Sequence, residues 1–135
     1  MQPETEAEAR AWFQKAANDL RGADIDLTAN PPLIEDALFH CQQAAEKSMK
    51  GFLAAHEQVF RKTHDLDELG RKCENIDPSL ISRLTAARDL TVFAWEFRYP
   101  GDTEIPSEGE AKDALATAQS VFDEILSRLP ESIRP

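Results

Sequence analysis

Leu38-Phe39-His40-Cys41-Gln42-Gln43-Ala44-Ala45-Glu46-Lys47-Ser48-Met49-Lys50 lies inside the longest helical pattern of the chain. At about 100° per residue, Ile34, Ala37, Leu38, Cys41, Ala45, Ser48, Met49, Phe52 and Leu53 share one side of a helix. His40, Gln43, Lys47 and Lys50 fall on the other. The pattern predicts a helix from about Leu33 to about Gln58, with a broad face for a core and a polar ribbon directed away from it. His56 falls within the apolar face and is expected to be packed.

Upstream, Thr5-Glu6-Ala7-Glu8 has the form of a capping box. Behind it Ala9, Phe13, Ala16, Leu20, Ala23 and Leu27 make a narrow seam that predicts a helix to about Thr28. Asn30-Pro31-Pro32 stops it, and so short a connection predicts antiparallel neighbours. Downstream, Asp65 or Thr63 can cap a short helix that turns Leu66, Leu69 and Cys73 inward. Asp77-Pro78 opens a fourth, with Leu80, Leu84, Ala87, Leu90, Ala94 and Phe97 at helical spacing, ending at Arg98-Tyr99-Pro100-Gly101. Ser107-Glu108-Gly109-Glu110 is a second capping box, and Ala111, Ala114, Ala118, Val121, Ile125 and Leu129 form the inner face of a last helix stopped by Pro130. No strand pattern or repeat interrupts this order. The expected fold is all-α: residues 1–135 as one domain, an up-and-down bundle of four to five antiparallel helices.

With 135 residues the chain can bury a core without disulfides or metals. Its net charge of −10 is the wrong sign for non-specific DNA binding or a membrane surface. The charge is uneven: Asp36–His64 carries four Lys/Arg against three acids, whereas 102–126 carries seven acids against Lys112 alone. Cys41 and Cys73 make no CxxC and lack an evident third ligand, so neither a metal centre nor a cofactor is expected. The acidic start and the absence of a long apolar run predict no signal peptide and no membrane span, hence a cytoplasmic location.

The opening stretch, the Thr63-His64-Asp65-Leu66 turn and the Arg98-Tyr99-Pro100 helix end occur in an order that resembles the HEPN domain family (higher eukaryotes and prokaryotes nucleotide-binding). The resemblance spans roughly Glu8 to Leu129. It implies a four- or five-helix bundle, a homodimer, a nucleotide or RNA phosphate as ligand, and pairing with a minimal nucleotidyltransferase in a prokaryotic two-gene toxin–antitoxin system. Many HEPN proteins are ribonucleases using an Arg-x4-6-His pair, in which histidine moves a proton and arginine steadies phosphate charge. Arg98 is the matching arginine here, but Thr103, Glu104 and Ile105 occupy the histidine positions.

The candidate nucleotide or phosphate contacts are therefore Lys47, Lys50, His64, Arg98 and Tyr99, read as parts of a binding module. The alternative is a metal-independent ribonuclease toxin with a non-standard site, Arg98 acting with His64 or His40. A second alternative is a purely structural dimerisation adaptor. Each candidate also has a plain reading: a solvated helix face for Lys47 and Lys50, a helix-end ion pair for Arg98, boundary packing for His40, capping or pairing with an acid for His64. Trp12, Phe93 and Trp95 read as core or interface residues, since no basic stripe accompanies them as in an RNA-binding surface.

Overall fold

The computed structural model describes residues 1–97, 100–101 and 104–135. Among the described residues five α-helices follow one another: α1 (Pro3–Thr28), α2 (Ile34–Ala55), α3 (Leu66–Ile76), α4 (Ile81–Ala87) and α5 (Glu108–Leu126). Short 3₁₀ turns lie at Pro78–Leu80, Arg88–Ala94 and Glu131–Ile133, and the described residues contain no strand.

α1 and α2 run antiparallel. As numbers rise along α1 they fall along α2: Phe13 faces Gly51, Asp19 reaches Lys47, and Gly22 lies under His40. α5 packs across this pair, the Phe122 ring 6.2 Å from that of Phe13. It runs opposite to α4, with Arg83 near Glu124 and Arg128 near Ser79. The seam of α1 is buried from Ala9 to Leu27, and Phe13, Leu38, Met49, Phe52, Leu53, Leu66, Leu69 and Ile125 are all but sealed. At roughly 25 cal/mol per Å² of apolar area, such side chains each contribute about 1.5–3 kcal/mol against the entropy of ordering the chain.

Three expected caps form. Asp65 accepts from the amides of Asp67 and Glu68, with Thr63 Oγ1 bonded to the Asp65 amide, and Ser107 and Glu110 complete a capping box. Asp77 likewise accepts from the Ser79 amide and opens a 3₁₀ turn. The first capping box does not form: Pro3 begins α1 one turn earlier, and the Thr5 hydroxyl donates to Glu57 Oε1 across the bundle at 3.0 Å.

The expected fourth helix is broken, only Ile81–Ala87 being α-helical. Leu84, Ala87 and Leu90 step by three, the period of a 3₁₀ helix, and Thr91, Val92 and Phe93 are poor helix formers. Thr91 Oγ1 instead accepts from the Leu66 amide at the start of α3.

α2 ends at Ala55, earlier than its periodicity predicts. The Gln58 amide donates to Leu53 O and the Glu57 amide to Ala54 O, a Schellman arrangement with Glu57 at φ 55° where glycine is usual. His56 therefore leaves the apolar face and is exposed, its ring tilted against Phe52 at 4.5 Å.

α1 packs tightly on α2 at Gly51, where an added Cβ would lie 2.7 Å from Phe13 Cε2. Phe13 is fully buried and cannot yield. Although alanine is worth about 1 kcal/mol over glycine in helix propensity, Gly51→Ala is expected to lower stability by a net ~1–3 kcal/mol through overpacking. Urea denaturation checks this. Unchanged or raised stability would show that the two helices do not meet there.

Candidate functional site

The polar face of α2 does not look outward as the ribbon predicted. Gln42 is fully buried, Glu46 and Lys50 nearly so, and Lys47 is paired with α1. Gln42, Glu46 and Lys50 follow one another at one-turn spacing and form a ladder along the helix.

Glu46 is its centre. Oε1 accepts from Gln42 Nε2 at 3.0 Å and from His64 Nδ1 at 2.7 Å, and Oε2 accepts from Lys50 Nζ at 2.9 Å. Burial pushes the Glu46 carboxyl up, but the bonds from Gln42, Lys50 and His64 outweigh it and hold the group below its ordinary range. Lys50 Nζ also lies 5.6 Å over the Trp12 ring, which packs edge-on against Phe60.

His64 arrives from the segment between α2 and α3, where Gln42 Nε2 fixes its carbonyl at 3.1 Å and the Asp65 cap fixes the chain beyond it. An ionised carboxylate can only accept, so His64 Nδ1 carries the hydrogen, and in the neutral ring Nε2 keeps its lone pair. The side chain is 62% exposed, which presents that nitrogen to solvent. A buried carboxylate thus sets the tautomer and orientation of an accessible imidazole, the arrangement acid–base chemistry requires.

The other candidates are differently placed. Lys47 Nζ bonds Asp19 Oδ2 at 2.6 Å, and Asp19 Oδ1 bonds His40 Nδ1 at 2.8 Å. Lys47 and Lys50 therefore each sit against a carboxylate. His40 belongs to a separate group with Asp19, Asp26 and Asp36, about two turns N-terminal to the Glu46 cluster. Burial and the neighbouring Asp36 raise the Asp26 carboxyl to about 6. Arg98 and Tyr99 lie outside the described residues. Cys41 and Cys73 are buried free thiols pushed up to about 12 by burial, which leaves them unreactive. Trp12 and Phe93 are partly buried, whereas Trp95 is 52% exposed.

Glu46, Gln42 and Asp19 were not singled out from the sequence. The one-turn spacing of Gln42, Glu46 and Lys50 was a readable signal for the first two. Asp19 had none, because its role depends on how α1 meets α2.

The family model of the HEPN domain matches residues 9–129, most of the chain. The chain belongs to the HEPN family. No curated protein and no solved structure gave a match. In this HEPN protein the motif stretch of α2 and the turn at His64 meet at one point, the Glu46 carboxylate. Among the described residues, no helix is long and apolar enough to cross a membrane.

The depressed Glu46 carboxyl makes stability depend on pH. A lowered folded-state value adds stability that is complete above the unfolded value, near 4.5, and is lost as pH falls through the folded value. Glu46→Gln leaves the buried Lys50 without a counter-charge and is expected to cost on the order of 3 kcal/mol at pH 7. It should also reduce the loss of stability on acidification below about pH 4.5. Urea titrations of both proteins at pH 7 and pH 3.5 check this; parallel pH dependence would remove Glu46 from the account.

Proposed function

We propose that this HEPN protein is a nucleotide-binding and interaction module in which His64 contacts the ligand. The observation that carries this is the imidazole held through Nδ1 by buried Glu46, with Nε2 turned to solvent. In that state Nε2 accepts a hydrogen bond from a ribose hydroxyl; once protonated it donates to a phosphate oxygen. Exposed Lys62, two residues before it, adds positive charge, and Arg98 and Tyr99 are retained as ligand contacts from the sequence. Lys47 and Lys50 act as positioning residues through their carboxylate partners.

The proposed setting is a cytoplasmic, prokaryotic toxin–antitoxin pair, in which the protein dimerises and engages a small nucleotidyltransferase. Dimerisation draws support from an open apolar cleft of about 530 Å³, bordered by Leu33, Phe39, Trp95 and Ile105, each more than a third exposed.

Calorimetric titration with ATP should show saturable binding that His64→Ala weakens at least ~10-fold, the worth of one charge-assisted hydrogen bond. Absence of ATP binding by the folded protein would contradict an ATP site; binding unchanged in His64→Ala would remove His64 from it. In sedimentation equilibrium the protein should be a dimer that Trp95→Ala shifts toward monomer, and a monomer at all concentrations would contradict the dimer.

The Glu46–His64 pair also favours a second reading, a metal-independent ribonuclease in which His64 Nε2 takes the 2′-hydroxyl proton and Arg98 steadies the phosphate. On this reading, RNA cleavage in chelator falls by about 10²–10⁴-fold in His64→Ala. Cleavage that survives both His64→Ala and Arg98→Ala would exclude it.

A further inference from the structure

At the end of the bundle where α1 hands over to α2, one ligand atom from each of Asp26, Asp36 and His40 lies within 4.8 Å of the others. Asp26 is 8% exposed, and its Oδ2 has no hydrogen-bond partner among the described residues. Leaving a carboxylate oxygen buried without a donor is costly, and the nearest groups here include a second carboxylate. A bound cation would satisfy that oxygen.

His40 is prepared for the role of a ligand. In the neutral ring a hydrogen on Nδ1 donates to Asp19 Oδ1 at 2.8 Å and leaves the lone pair on Nε2. Nε2 stands 3.4 Å from Asp36 Oδ2, where two lone pairs would face each other. Metal–nitrogen and metal–oxygen bonds of about 2.0–2.2 Å place two tetrahedral ligands about 3.3–3.6 Å apart, which matches that separation. The carboxylate behind Nδ1 is a recurring partner of metal-bound histidine, and Lys47 anchors it through Asp19 Oδ2 at 2.6 Å. Gly22 makes room for the ring, since a Cβ there would lie 3.1 Å from His40 Nε2.

We propose that Asp26, Asp36 and His40 bind a single divalent transition cation, Zn²⁺ as the first choice, with Asp19 as the positioning residue for His40. One nitrogen and two carboxylate donors suit Zn²⁺, whereas Mg²⁺ prefers six oxygens. Asp36 and His40 remain 58% and 28% exposed, so an ion can enter and keep water in its fourth position. The three ligands and their second carboxylate lie on α1 and α2 alone, so the ion fastens the two longest helices at their connected ends. No spacing in the sequence marks residues 26, 36 and 40 as a set, because they converge only once the connection folds back.

The test is calorimetric titration of the chelator-treated full chain with Zn²⁺, with Mg²⁺ as control, and thermal melting in parallel. One Zn²⁺ per chain should bind and raise the melting temperature, and Mg²⁺ should not compete. Asp26→Asn and His40→Gln, each confirmed folded by circular dichroism, should lose saturable binding. Asp19→Asn, which keeps all three ligands but weakens the support of His40 along with the Lys47 pair, should weaken it about 10–100-fold. Substitution by Co²⁺ should give the visible absorption of a four-coordinate site. No saturable Zn²⁺ binding by the wild-type chain would overturn the proposal and mean that protons neutralise the cluster. Zn²⁺ binding equally strong in Asp26→Asn and His40→Gln would overturn it too, placing the ion elsewhere.

Discussion

One carboxylate in the middle of α2 constrains much of the molecule. Glu46 is nearly sealed from water and is tolerable only because Gln42, His64 and Lys50 surround it with donors. Each donor commits a different part of the chain. Gln42 and Lys50 lie one turn to either side on the same helix, and His64 brings in the segment leading to α3. Lys50 also draws Trp12 of α1 over its ammonium group. Losing any donor leaves a polar group stranded, so the network specifies one arrangement of α1, α2 and the α2–α3 connection.

The apolar half of this design was legible in the sequence. The seam of α1 and the inner face of α2 could be read residue by residue, because apolar residues recurring about every 3.6 positions mark a helix with one buried side. The caps at Asp77 and Ser107 were equally clear, and that of α3 was narrowed to Asp65 or Thr63, since each capping side chain acts on amides within three residues. Other features depend on distant chain. Thr5 is drawn away from local capping by Glu57, fifty-two residues on. α2 stops without a glycine because Glu57 takes the left-handed position itself. The segment from Arg88 to Ala94 kept its apolar spacing while changing helix type, which periodicity alone does not resolve.

The site shows the same division. His64 was a candidate because of where it stood in a motif, but its acid partner was not identified. The polar side of α2 was expected to meet water because nothing in the pattern shows that a second helix covers it. α1 does, and Asp19 meets Lys47 and His40 there. Two lysines that read as phosphate contacts are each paired with a carboxylate. His64 stands as an exposed imidazole at the end of a buried network, in a chain whose family is that of the HEPN domain.

The most direct test of this account is the ¹⁵N NMR signature of the His64 ring with the imidazole neutral. A carboxylate behind Nδ1 predicts the Nδ1–H tautomer, with Nε2 unprotonated, in the wild-type protein. In Glu46→Ala, confirmed folded, the ring should revert to the Nε2–H form that an unconstrained histidine favours. A predominantly Nε2–H ring in the wild-type protein would contradict the account, because Glu46 would then not be orienting the imidazole on which the proposed chemistry depends.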